Sequence, residues 1–391
     1  MPIVAQQTID DLSQTLRTGT YQEKLDCLRE TPFSPPDDLS SLPMIDGVRA
    51  GLQQWNDPAS ANFGKSKMTE VGEMVSYLRL SPSIRTMEKY GSVTFQSTFA
   101  GRRTAQDLAN GFDIPAWFLP WRQAGALVKL KISDINNNAG QLVINNQNVA
   151  NPDLFFTAAL SGCSVIVVGN PSNPSVYHGG SVNPIGAGLQ GSEKTEAFWL
   201  RKLGRTGTAQ KPLGSIGKTD YISELIRGAR SDGDRLDKQT TLSLAIKKKL
   251  EDAGGVDEIS LQPWGYVFGL RKPDGTWAFE LVNCVSLTYY KWRMKKRTVG
   301  RDKRVREGEV RPKVLLTNGG GLAINPTTGG VGYQKGQIGG PNIYEPIGPD
   351  DYSEQKISDC KVIGHQEFFP GRGKIDIHNL STAQLMQKLI I

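Results

Sequence analysis

Apolar positions near the start of the chain recur at helical spacing. Ile9, Leu12 and Leu16, then Leu25 and Leu28, form a stripe that predicts helix over 7–30, broken into two pieces at Gly19. The Pro-rich TPFSPPDD from Thr31 predicts a linker. After the turn-rich NDPASANFGKSK, a second helix is expected over Met68–Leu80. From about Ser92 the pattern shortens to β-like runs, SVTFQSTF, PAWFLPW, ALVKLKI and QLVINNQNV, separated by Asn-rich or Gly-containing turns.

The middle of the chain is its most apolar part. Leu154–Leu160 (LFFTAAL) is followed by Cys163–Val168 (CSVIVV), whose β-branched residues predict a buried strand. A helix is expected over 239–252 (QTTLSLAIKKKLED). A hairpin should follow, Trp264–Leu270 returning as Thr276–Val282 about the turn-forming pair Asp274-Gly275. Gly319–Gly340 holds nine glycines in 22 residues and reads as loop-rich. The last 30 residues recover strand and helix patterns, ending in STAQLMQKLII. No internal repeat is visible.

Composition narrows the class. The chain has 391 residues, and seven Trp, 13 Phe and 11 Tyr can fill a core, which argues against wholesale disorder despite 43 Gly and 22 Pro. Its longest apolar stretch, around Ser164–Val168, is too short to span a bilayer. The N-terminus lacks the basic and apolar regions of a secretory leader, so no cleaved signal is expected. Charge is concentrated: residues 291–306 (KWRMKKRTVGRDKRVR) carry net +8, and the chain total of +7 leaves the other 375 residues at −1. Two readings fit that run, a surface for an acidic partner such as nucleic acid, or a solvated linker; Trp292 is its one aromatic.

Few residues can carry chemistry. Gly64-Lys65-Ser66 and Gly217-Lys218-Thr219 end like a phosphate-binding loop, but the required first glycine is replaced by Ala59 and Pro212. Cysteines stand far apart at 27, 163, 284 and 360, with no CxxC, which argues against a zinc knuckle or a disulfide framework. The three histidines are His178, His365 and His378, and a metal site from Cys360, His365 and His378 lacks supporting ligand spacing. Cys163 and His178 differ. They flank a turn signal (NPSNPS, Asn170–Ser175), which implies two antiparallel strands. A two-residue loop sets His178 opposite Cys163 and a six-residue loop sets it opposite Val167; in both registers the two residues share a face. Such a pair can form a thiolate nucleophile with an imidazole acid/base, while an inert buried cysteine remains the alternative.

Four ordered motifs carry a resemblance. Leu119-Pro-Trp-Arg-Gln123, Asp153-Leu-Phe-Phe-Thr157, Leu160-Ser-Gly-Cys163 and Val176-Tyr-His178 resemble the active-site frame of the Burkholderia lethal factor-like glutamine deamidase toxins, a group similar to the catalytic domain of cytotoxic necrotizing factor. Phe198-Trp199 with Arg201 and the Gly265–Leu287 hairpin are weaker echoes in the same order. The resemblance implies Cys163 as nucleophile, His178 as acid/base, and Thr157 as the hydroxyl that orients the imidazole. It covers residues 116–180 closely and about 90–290 loosely, with no counterpart for 1–90 or 291–391.

The resulting expectation is an α+β protein, a central β-sandwich of mixed sheets flanked by helices. A helical extension and linker (1–90) precede a deamidase domain (91–290), and a basic, Gly-rich extension (291–391) follows. What the resemblance implies is a secreted bacterial effector, without a recognisable leader, acting in the host cytosol with no cofactor or metal. Its substrate would be a host protein, a DEAD-box translation-initiation helicase ahead of a Rho-family GTPase. The same Cys-His pair serves a transglutaminase or cysteine protease, and a non-enzymatic protein would instead bind through 291–306.

Overall fold

The computed structural model describes residues 6–35, 67–71, 75–82, 92–100, 103–120, 126–132, 141–144, 147–160, 162–180, 193–203, 213–221, 245–246, 255–294, 298–299, 303–304, 321–324, 331–335, 343–346, 352–371 and 380–390. Helices α1 (Gln6–Thr18) and α2 (Tyr21–Glu30) open the chain, before β1 (Phe33–Ser34). Next come β2 (Lys67–Val71), β3 (Val75–Pro82), β4 (Val93–Phe99), α3 (Ala105–Ala109), β5 (Ile114–Leu119) and β6 (Ala126–Lys131). The hairpin of β7 (Gln141–Ile144) and β8 (Gln147–Ala150) leads to β9 (Leu154–Thr157), β10 (Ser164–Val168) and β11 (Ser175–Gly179). Then follow α4 (Glu193–Lys202), β12 (Leu213–Ile216), α5 (Lys218–Tyr221) and the long β13 (Gly255–Arg271) and β14 (Trp277–Met294). Short β15 (Thr298–Val299), β16 (Lys303–Arg304), β17 (Gly321–Ile324), β18 (Val331–Lys335) and β19 (Ile343–Pro346) precede β20 (Tyr352–Phe369) and α6 (Thr382–Ile390).

The fold is α+β. One sheet of eight strands runs β1-β4-β3-β5-β9-β13-β14-β20, mixed because β1 with β4 and β5 with β9 are parallel. A second sheet of five runs β12-β10-β11-β6-β2, with β2 and β6 parallel. The two share a core: Trp117, Phe155, Val267 and Phe279 from the large sheet meet Val128, Val165, Val176 and Ile216 from the small one. The large sheet's other face is covered by α1 and α2 through Ile9, Leu16, Leu25 and Leu28. Leu385 and Leu389 of α6 pack with Val285, Leu287 and Ile363, and Trp199 of α4 covers Ile166 and Tyr177 on the small sheet's outer face.

Several expectations hold in detail. The helical stripe breaks beside Gly19, where Thr20 caps α2 and shares a reciprocal capping box with Glu23. The hairpin at 272–276 closes with Gly275 at φ +85° and its N–H donating to the Lys272 carbonyl at 2.9 Å. Three expectations are corrected. The stretch from Thr31, expected as a linker, contributes β1 to the edge of the large sheet beside β4, with Phe33 fully buried. Met68–Leu80 is not a helix: its start lies in β2 and its end in β3, strands of different sheets. In β3, Val75 and Tyr77 face the core between the sheets while Leu78 and Leu80 face α1 and α2. Burial on both sides fills both periodicities, so the apolar pattern alone cannot separate them. The Gly-rich 319–340 region, expected as loop, contributes β17 and β18 to a three-stranded antiparallel sheet with β19.

Strands from all three stretches of the chain make up the large sheet: β1 and β3 come from the first 90 residues and β20 from the last hundred or so. Apart from 245–246, the helix expected over 239–252 lies outside the described residues. No described helix is long and apolar enough to cross a membrane.

Candidate active site

The β10–β11 hairpin delivers Cys163 and His178. Its loop is held locally, with the Asn170 side chain accepting from the Ser172 N–H at 3.0 Å and its carbonyl accepting from the Asn173 N–H at 3.0 Å. The ladder runs from Val168 opposite Ser175 to Ser164 opposite Gly179, which sets His178 opposite Val165. That register falls between the two expected from sequence and preserves their parity. Cys163, one residue before β10, belongs to the same core as Val165, Val167 and Val176. His178 follows Val176 by two positions on one strand, so it faces that core as well.

Thr157 reaches the same space from the opposite sheet. It lies two residues after Phe155 on β9 and opposite Leu119 on β5, both of which face the core between the sheets. Cys163 is 2% exposed, and Thr157 and His178 are fully buried. The Thr157 hydroxyl donates to the Ala158 carbonyl at 2.9 Å, and neither ring nitrogen of His178 has a hydrogen-bond partner. The structure therefore brings the three residues to one face of one core without forming the Thr–His hydrogen bond that the resemblance implies. The Trp117 indole N–H and the Asn283 carboxamide, also buried and unpartnered, are carried on the same side of the large sheet. Both were missed in the sequence, because an Asn within an apolar strand carries no local mark.

Burial alone pushes the His178 imidazole down from 6.5 to about 3. At neutral pH the ring is uncharged, which leaves it the chemistry of a base rather than that of a cation that pre-forms a thiolate. The depression also makes stability pH-dependent. The unfolded chain takes up the proton near 6.5 while the folded one resists until about 3, so stability is full above the first value and is lost as pH falls between them. The slope is about 1.4 kcal/mol per pH unit. His178→Asn should remove one such increment from the pH dependence of the urea midpoint; equal slopes in both proteins between about pH 6 and 4 would contradict it.

Gly179 explains how His178 is held. A Cβ on Gly179 would lie 2.5 Å from Cδ1 of Trp199, so the indole rests directly on the backbone beside His178. The Trp199 N–H donates to the Gly180 carbonyl at 2.9 Å. Gly179→Ala should displace the indole, lower stability by about 1–3 kcal/mol and reduce any His178-dependent activity, as a thermal melt paired with an activity assay would show.

No protein-family model matches the chain, and no curated protein matches it. The site therefore stands on its residues.

The remaining sequence candidates separate from it. Gly217-Lys218-Thr219 follows a strand, β12, but it opens only the one-turn α5. Gly64-Lys65-Ser66 and His378 lie outside the described residues. Among the described residues no group of three His, Cys, Asp or Glu side chains could hold a metal ion. Cys360 is buried with α2's core, while His365 stands 3.5 Å from Glu280 with a side chain 42% exposed. The side chains of the basic run 291–306 also lie outside the described residues.

Proposed function

We propose that the chain is a protein-glutamine deamidase, a secreted bacterial effector acting on a host protein in the host cytosol. The observation that carries this reading is the convergence of Cys163 and His178 from one sheet and Thr157 from the other on one buried face. Three of the four motifs that resemble the lethal factor-like deamidases supply these residues: Asp153–Thr157, Leu160–Cys163 and Val176–His178.

The chemistry follows from the side chains. Neutral His178 takes the thiol proton as Cys163 sulfur attacks the carboxamide carbon of a substrate glutamine. Backbone N–H groups beside the cysteine stabilise the oxyanion. Collapse of the tetrahedral intermediate breaks the C–N bond, and His178 returns its proton to the leaving nitrogen, which departs as ammonia. A water, deprotonated by His178, then attacks the thioester; the C–S bond breaks, glutamate leaves, and His178 returns the proton to the cysteine sulfur. Because the thiol is 2% exposed in this state, substrate engagement requires this face to open.

A DEAD-box translation-initiation helicase is the favoured substrate class, ahead of a Rho-family GTPase, on the strength of the closer motifs. Eukaryotic lysate treated with the wild-type chain should show new Gln-to-Glu conversions by mass spectrometry. The alternatives differ in what captures or forms the thioester: incorporation of a labelled amine marks a transglutaminase, and new N-termini mark a protease.

A further inference from the structure

We infer that Tyr221 is the positioning residue of the candidate nucleophile, its hydroxyl fixing the backbone of Cys163. This rests on Cys163 being the reactive thiol. Tyr221 is fully buried, and its hydroxyl donates to the Cys163 carbonyl at 2.9 Å. Cys163 lies one residue before the β10 ladder begins at Ser164. A hydrogen bond to its carbonyl orients the peptide plane that follows it, and with it the direction of the Cα–Cβ bond.

The contact closes a circuit of named interactions. β10 pairs with β12, Val165 opposite Ile216. β12 runs into α5, whose start is capped by Asp220, with the Gly217 N–H donating to its carboxylate at 2.7 Å. That turn delivers Tyr221 back to Cys163. Gly265 on β13 provides the floor: its backbone exchanges hydrogen bonds with Leu160 at 2.7 and 3.3 Å, and a Cβ there would lie 3.0 Å from the Tyr221 Cβ. One glycine thus anchors Leu160 and supports the tyrosine that anchors Cys163. Burial pushes the Tyr221 phenol well above its ordinary range, so it remains a donor.

The test separates this inference from the deamidase reading by using two readouts. The first is the rate of Cys163 alkylation by iodoacetamide across pH, followed by peptide mass spectrometry with Cys284 and Cys360 as internal references. The second is kcat and KM on whatever glutamine substrate the lysate experiment yields. Tyr221→Phe should shift the pH profile of Cys163 alkylation and change its rate several-fold while leaving the reference cysteines alone. It should lower kcat about 10–100-fold with little change in KM. 3-Fluorotyrosine at 221 keeps the hydrogen bond and should behave like wild type in both readouts, and Gly265→Ala should mimic Tyr221→Phe by displacing the ring. If the lysate yields no substrate, the alkylation arm still decides. A wild-type alkylation profile in Tyr221→Phe, or a fluorotyrosine protein as impaired as Tyr221→Phe, overturns the positioning role. Should Tyr221→Phe fail to fold, Gly265→Ala carries the same comparison, and an unchanged profile there overturns it equally.

Discussion

Replacing Cys163 by Ser is expected to abolish Gln-to-Glu conversion, lowering the rate by at least about 10⁴-fold, as loss of a nucleophile does in enzymes whose base and nucleophile act together. The substitution changes one atom, but the hydroxyl is a far weaker acid than the thiol and neutral His178 cannot deprotonate it efficiently. Cys163 is packed with Val165, Val167 and Ile216, so burying a hydroxyl there costs on the order of 1 kcal/mol. A thermal melt run beside the activity assay would separate this small cost from the loss of chemistry. Conversion that persists in a folded Cys163→Ser protein would sink the mechanism. Conversion absent from the wild type, in lysates where the protein stays folded, would sink the function.

The second large effect concerns stability. Glu280 lies on β14 with its carboxylate 2% exposed, and Arg29 of α2 grips it through Nε at 2.8 Å and through a terminal nitrogen at 2.5 Å. The Glu280 hydrogen bond is the main reason the Arg29 guanidinium is held even more firmly protonated than usual. Nearby, the Tyr266 hydroxyl reaches the Leu28 and Thr31 carbonyls at the end of α2, so two side chains of the sheet hold one helix terminus. Arg29→Met should lower stability by about 3 kcal/mol, because a buried carboxylate loses its bidentate partner. Arg29→Met combined with Glu280→Leu should recover most of that loss, since no charge is then left buried. Urea unfolding of the two variants decides it: a double variant no more stable than the single would show that the cost lies elsewhere.

How much of the site was legible follows from what each residue depends on. The face shared by Cys163 and His178 could be read because antiparallel parity survives a change of loop length: the register differs from both expected ones, yet His178 opposite Val165 keeps it on the side of Cys163. Thr157 entered only through resemblance, since it lies on another sheet and nothing in LFFT distinguishes its hydroxyl from that of an ordinary strand residue. Tyr221 could not be read at all. It is 58 residues from Cys163 and follows a Gly-Lys-Thr triplet whose visible suggestion, phosphate binding, points elsewhere.

The sequence by itself determined the local elements: the paired N-terminal helices broken at Gly19, the hairpin turn at Asp274-Gly275, the buried β10 strand and the loop that returns it as β11. Each depends on residues within a few positions, where periodicity, capping and turn chemistry act. Only the tertiary structure decided that the end of Met68–Leu80 is a strand between β4 and β5, that β20 completes the sheet begun by β1, and that the Tyr221 hydroxyl meets the Cys163 carbonyl. Those outcomes depend on which distant strand satisfies an edge and which face is covered, and the free energy of such pairings belongs to both partners rather than to either segment.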